Sequence, residues 1–201
     1  MLSLLPIGTI SSWLAAGYVV CAFAFAWVMR HDLGTWNLPF LLKTFGTVLT
    51  AFTAVIVSVG YVGWRWLWRR IPVLANIYPD LNGTWDLTIS WNRQDDSGEV
   101  AAKAVIKQNF FRISMEVEAP DSESRTLSAV PKKDAESGRA ALHYIYLVTP
   151  HAKQGKSPAS YYGAAILAVS GEALQMLAGN YWTSHQSVGR LSLTRGDAPA
   201  A

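Results

Sequence analysis

The chain has 201 residues, of which 51% are hydrophobic and only 15% charged, against about 25% charged in an ordinary globular domain. Its net charge of +3 sits in the first 70 residues, where five basic residues face Asp32 alone, and the remainder is close to neutral. A near-neutral second half argues against a DNA or RNA polymer as partner, and a single cysteine, Cys21, excludes an intrachain disulfide framework.

Ile7 to Val28 contains no charged residue and is long enough to cross a hydrocarbon core, which takes about 20 apolar residues. Its length, and the lack of Lys and Arg before it, separate it from a cleaved signal peptide. Arg30-His31-Asp32 ends it. A second uncharged segment, Thr44 to Val62, is bracketed by Lys43 and by Arg65, Arg69 and Arg70. Trp64, Trp66 and Trp68 interleave with those arginines, a composition suited to a membrane interface. The short link His31–Pro39 makes the two segments a helical hairpin. The larger basic count after the second helix places both the amino terminus and the C-terminal half on the cytoplasmic side. Small residues recur every fourth position, as Gly8, Ser12 and Ala16, and as Gly46, Thr50, Ala54 and Ser58. Such rows let helices approach closely in lipid, either between protomers or, the favoured reading, between the two helices of the hairpin. No charge sits mid-segment, so no ion or proton path is indicated.

Pro72 and Pro79 mark residues 71–79 as a connector that no continuous helix can cross. Period two then takes over. Trp85, Leu87, Ile89 and Trp91 alternate with Asp86, Thr88 and Ser90, which predicts a half-buried strand. Asp95-Asp96-Ser97-Gly98 is a turn. A strand follows from Val100 to Asn109, with Ala102, Ala104 and Ile106 inward and Lys103 and Lys107 outward. Phe111 to Val117 and a weaker Ser124 to Val130 flank the turn Ala119-Pro120-Asp121. Arg139 to Thr149 is apolar on both faces. Pro150 to Ser160 is the longest loop, and strands Tyr161–Ser170, Ala173–Trp182 and Ser187–Thr194 close the set around a Gly171-Glu172 turn. Eight strands at this spacing, joined by short turns, predict an up-and-down barrel. The division is residues 1–70 as membrane hairpin, 71–79 as connector, 80–196 as ligand-sensing barrel and 197–201 as tail.

Catalytic and metal patterns fail. Gly155-Lys156-Ser157 lacks the leading glycine and following helix of a P-loop, since Pro150 and a strand occupy those places. The four histidines have no metal spacing, and no nucleophile elbow or paired acid/base site is present. An enzyme is not expected, and no cofactor is indicated. The remaining chemistry is aromatic and polar. Aromatics stack bases, amides read base edges, and a few cations hold phosphate. The candidates are Tyr78, Asn82, Thr84, Lys107, Asn109 and Arg112 from the first part of the barrel, and Tyr144, Tyr146, Asn180, Tyr181 and Trp182 from the second.

Gly83-Thr84-Trp85 resembles the Gly-x-Trp opening of lipocalins. In that family the tryptophan packs under the closed end of an eight-stranded barrel and a late arginine stacks on it, a part open here to Arg190 or Arg195. The wider layout is more specific. Two membrane segments, a Trp/Arg juncture, Tyr78-Pro79-Asp80-Leu81-Asn82-Gly83-Thr84-Trp85 and eight strands resemble the SMODS-associating two-transmembrane, β-strand-rich effector family of CBASS antiphage defence. That resemblance implies a lipocalin-like barrel that binds a cyclic di- or oligonucleotide made by a cGAS/DncV-like nucleotidyltransferase. It further implies a homo-oligomer in the bacterial inner membrane that disrupts the bilayer and kills the infected cell. It supplies no position-by-position ligand motif. Two other functions compete with it: a membrane-anchored binder of an apolar ligand, and a non-toxic adaptor whose barrel holds another protein and has a fully packed interior.

Overall fold

A computed structural model describes residues 7–33, 38–70, 78–93, 96–134, 136–152, 159–170 and 175–196. The stretch 71–77, the Gly155-Lys156-Ser157 loop, the Gly171-Glu172 turn and the tail 197–201 lie outside the described residues. Helix α1 (Ile7–Leu33) is followed by α2 (Leu38–Ser58), which runs through a π-helical turn (Val59–Gly63) into α3 (Trp64–Arg70). Within these, Ser11–Met29 and Leu38–Arg70 are long and apolar enough to cross a membrane, and only 11% and 6% of the two spans is buried. Helices that apolar and that exposed are not core helices of a soluble domain.

The hairpin contact uses a different face from the one the small-residue rows suggested. Tyr18 packs its ring against Phe45 and Phe52 and donates its hydroxyl to the Phe45 carbonyl at 3.1 Å. Gly17 faces Phe52, and Ala22 and Ala26 are fully buried. Ser12, Ala16, Gly46, Thr50, Ala54 and Ser58 instead face outward. Phe52 on α2 therefore fills the space left by Gly17, and Ser12, Ala16 and the row on α2 remain on the outside of the hairpin.

The second half is a closed antiparallel barrel in sequence order, β1 (Gly83–Arg93), β2 (Asp96–Gln108), β3 (Ile113–Ala119), β4 (Ser122–Lys133), β5 (Ala140–Pro150), β6 (Tyr161–Ser170), β7 (Met176–Thr183) and β8 (Val188–Arg195), with β1 pairing β8. Closure leaves no sheet edge unpaired. The alternation read from β1 and β2 holds: Trp85, Leu87, Ala104 and Ile106 are buried while Asp86, Lys103 and Lys107 face out. Three elements differ from the sequence reading. Strand β2 begins at Asp96, so Asp96, Ser97 and Gly98 of the expected turn are paired with Arg93, Asn92 and Trp91 of β1. Phe111 belongs to the β2–β3 turn rather than to β3. Strand β4 extends through Lys133, with a bulge at Leu127 between Thr126 and Ser128 that breaks its alternation.

One end of the barrel receives the helices and is densely knit. Trp85 is completely buried there, donates its indole N–H to the Leu81 carbonyl at 2.9 Å, and carries the Arg195 guanidinium 5.1 Å from its ring centroid. Arg195, not Arg190, is thus the stacking arginine. It also donates to the carbonyls of Asp80 (2.8 Å) and Asn82 (3.1 Å), which ties the end of β8 to the start of β1. Gln108 is buried, accepts from Leu81 N–H and donates to the Pro79 carbonyl. Asn82 exchanges two hydrogen bonds with the Gln108 backbone, at 2.7 and 2.8 Å. Between them, Asn82 adopts the turn set by the Asp80 carboxylate, and Gly83 takes φ +131°, a conformation open to glycine and strained for other residues.

The helix meets the barrel at this same end. In the π turn the ladder widens, and the Gly60 carbonyl accepts a hydrogen bond from Phe110 N–H at 3.2 Å. A Cβ at Gly60 would run into the Phe111 ring, so this close approach needs glycine. Tyr61 packs on Phe111, Trp68 packs on Phe110, and Trp68 donates its indole N–H to the Tyr78 carbonyl at 2.9 Å. The tight β2–β3 turn that presents the two phenylalanines is built by Asn109, whose side-chain oxygen accepts from Phe111 and Arg112 N–H.

Candidate functional site

The opposite end of the barrel is hollow. A cavity of about 540 Å³ opens there, with Leu87 and Leu191 among its deeper walls. Below it, Trp85, Ala104, Ile106, Met115, Leu142, Leu167, Leu177 and Leu193 fill the interior completely. The volume falls in the range of small-molecule sites, about 300–1,000 Å³.

The space exists because of how aromatic rings lie on the wall. Trp91 pairs across strands with Gly98, Tyr146 with Gly163, and Tyr181 with Gly189. A Cβ at Gly163 would collide with the Tyr146 ring, one at Gly98 would press tightly on Trp91, and one at Gly189 would run into the Ser90 carbonyl and the Tyr181 ring. The rings therefore lie flat over bare backbone instead of projecting into the barrel axis, an arrangement in which the aromatic side chain also covers the glycine. Gly163 and Ala165 on β6 keep the facing wall thin. Tyr144 stacks on Tyr146 with centroids 4.7 Å apart, and at the rim Tyr161 stacks on His185 at 4.5 Å.

The chemistry of the lining is hydroxyl-rich and weakly charged. Burial pushes the Tyr144 phenol up to about 12 and raises those of Tyr146 and Tyr181, so all three stay protonated near neutral pH and can donate. Tyr144 spends its proton on the Met115 carbonyl at 2.9 Å. Ser122, Ser124, Thr183 and Ser187 add further hydroxyls, and Asp121 and His185 stand among the lining residues. Among the described residues no lysine or arginine lines the cavity. No group of three or more metal-ligating side chains occurs among the described residues either.

The sequence candidates divide between the two ends. Tyr144, Tyr146 and Tyr181 come together in the cavity. Tyr78, Asn82, Thr84, Lys107, Asn109 and Arg112 lie at the helix end. There Tyr78 is buried with its phenol raised by burial, Asn82 and Asn109 make turns, and the Thr84 carbonyl accepts Gly196 N–H. Lys107 pairs with Glu116 at 3.2 Å on the outer wall, and Arg112 is exposed in the β2–β3 turn. Asn180 and Trp182 point outward from β7 and border a shallow groove beside Arg190. Sequence reasoning missed Trp91, Tyr161 and His185. For Trp91 the available signal was the glycine set against it across the sheet, Gly98, which requires the strand register; Tyr161 and His185 come together where β6 pairs with β7.

Comparison with known proteins identifies the domain. The family model of the Cap15 cyclic dinucleotide receptor domain matches residues 76–195, more than half of the chain and the whole of the barrel. A search of the curated proteins found no match. The chain belongs to the Cap15 family of CBASS effectors, and its barrel is that family's cyclic dinucleotide receptor domain.

Proposed function

We propose that the distal cavity is where the cyclic dinucleotide binds, and that occupancy drives oligomerisation of the helical hairpin and disruption of the inner membrane. The observation that carries this reading is the cavity itself: about 540 Å³, walled by flat tyrosine rings, in a domain of the cyclic dinucleotide receptor family. Bases stack on Trp91 and on the Tyr144–Tyr146 and Tyr161–His185 pairs. The phenols of Tyr146 and Tyr181 and the serine hydroxyls donate to base edges and phosphate oxygens. Two phosphate charges need only a few donors when these are fixed in place. A wholly apolar ligand would make no use of the hydroxyls that line the cavity, and a protein adaptor has no use for the hollow.

The ligand end and the helix end are coupled through the barrel wall. Strands β2 and β3 border the cavity through Val100, Val117 and Ala119, and their connecting turn grips the π segment at Gly60. A ligand that favours one arrangement of that wall shifts the population of the attached hairpin. The hairpin spans the inner membrane twice with both termini in the cytoplasm, where the receptor meets its messenger.

The test uses the full-length protein in lipid nanodiscs, melted against a panel of cyclic di- and trinucleotides. A cyclic dinucleotide should raise the melting temperature in a concentration-dependent way, by linkage, and the same compound should admit a membrane-impermeant dye to cells that express the protein. No shift with any member of the panel would remove the cavity reading. A shift without dye entry would remove membrane disruption while keeping the receptor.

A further inference from the structure

The outer wall of the barrel has two unlike halves. Strands β1 to β4 carry twelve charged residues, six of each sign. Strands β5, β6 and β7 carry no Asp, Glu, Lys or Arg at all. The inward residues of β5 to β7 form the core and cavity, which accounts for half of that apolarity. The outward half is unexplained by the fold: Ile145, Tyr162, Ile166, Trp182 and Val188, the last from β8, are each 45–60% exposed. Register places Ala164 between Ile145 and Trp182, and Ile166 beside Asn180, so these side chains form one continuous face. Their exposed area is on the order of 600 Å², the upper end of the largest patch on a typical monomer.

We infer that this β5–β7 face is where two copies of the chain pair, barrel wall to barrel wall. With the intervening alanines and Asn180 the face approaches the roughly 800 Å² that each partner buries in a standard interface. A face with no charge on β5 to β7, and only Arg190 of β8 at its border opposite Asn180, is complementary to itself, as a two-fold contact requires, whereas the mixed charges of β1 to β4 need a shifted partner. The position fits as well. The helix is gripped by the β2–β3 turn, and in an eight-stranded barrel β6 and β7 lie diametrically opposite, so the hairpin does not cover this wall. Two copies with their hairpins in one bilayer bring side walls together, not ends. The inference rests on the membrane placement proposed above, but not on the ligand site.

Cross-linking in native membranes tests it, with the full chain and its exposed Cys21 changed to serine. A single cysteine is placed at Ile166, at the centre of the face, or at Lys103 on the charged wall, and a short bismaleimide is added with and without a cyclic dinucleotide. Ile166→Cys should yield at least ten times more covalent dimer than Lys103→Cys. Adding Ile166→Glu to a Trp182→Cys reporter should cut its dimer about tenfold while the ligand-induced melting shift stays unchanged. Equal or greater dimer at Lys103→Cys would overturn the assignment. So would an Ile166→Cys chain that remains monomeric, or one whose cysteine is shielded from the reagent by lipid. Loss of the melting shift throughout would count against the cavity instead, and the dimer yields would still decide this face.

Discussion

The two ends of the barrel are made from the same alternating strands and behave as opposites. At the helix end, side chains point along the axis and meet: Trp85 plugs the bore, Gln108 and Asn82 lock the neighbouring backbones, and Arg195 clamps β8 to β1. At the far end, aromatic rings of similar size lie against glycines and leave about 540 Å³ open. Residue size does not separate plug from pocket. Part of the difference lies in the cross-strand partner: Trp85 stands opposite Ala104, while Trp91, Tyr146 and Tyr181 of the hollow end stand opposite Gly98, Gly163 and Gly189, and Tyr144, opposite Ala165, stacks on Tyr146.

Breaking the plug should have the largest effect. Trp85→Ala removes a fully buried indole and its hydrogen bond, and should cost about 3–5 kcal/mol, read as a fall in denaturant midpoint of the full-length chain. The tyrosines of the hollow end give the next effect, and it depends on pH. Burial raises the phenols of Tyr144 and Tyr146 above their unfolded value near 10. Their contribution to stability is therefore whole below about pH 10 and is lost as pH rises through the folded values, about 12 for Tyr144. The melting temperature should hold up to about pH 10 and then fall, together with the appearance of tyrosinate absorbance. Tyrosinate that appears with no loss of stability would mean the rings are not sequestered. The smallest effect belongs to the clamp. Arg195→Met keeps the aliphatic stem but loses the cation–π contact and two hydrogen bonds, and should cost about 1–2 kcal/mol in the same denaturant assay.

How much of this was legible in the sequence follows from the range of each signal. Helices and strands rest on local periodicity. The charge-free runs near Ile7–Val28 and Thr44–Val62, and the alternation through Trp85 to Trp91, lead directly to the observed elements. The β4 bulge at Leu127 hides that strand's true length because it shifts the period by one residue. The site depends on contacts between residues far apart in the chain. Tyr144 and Tyr146 were recognisable as neighbours on one face, but the glycine that flattens Tyr146 lies on another strand, and His185 reaches Tyr161 only through the pairing of β6 with β7. Seeking cations for phosphate led to Lys107 and Arg112, which the fold places on the outer wall and in the helix-side turn. The hairpin repeats the lesson, since small residues mark every face along which helices could approach, and aromatic shape decides which one they use.

The central claim is that the ligand occupies the hollow end and not the plugged one. The most direct measurement is the affinity of the full-length protein for a cyclic dinucleotide, by calorimetry in nanodiscs, in two variants. Gly163→Ala places a methyl against the Tyr146 ring and swings it into the cavity, at an overpacking cost of about 1–3 kcal/mol. A Lys107→Ala/Arg112→Ala double variant removes the two cations that the sequence offered for phosphate, without touching the hollow. The account predicts that Gly163→Ala weakens binding at least tenfold while the double variant binds as the parent does. Unchanged affinity in folded Gly163→Ala, with binding lost in the double variant, would contradict it.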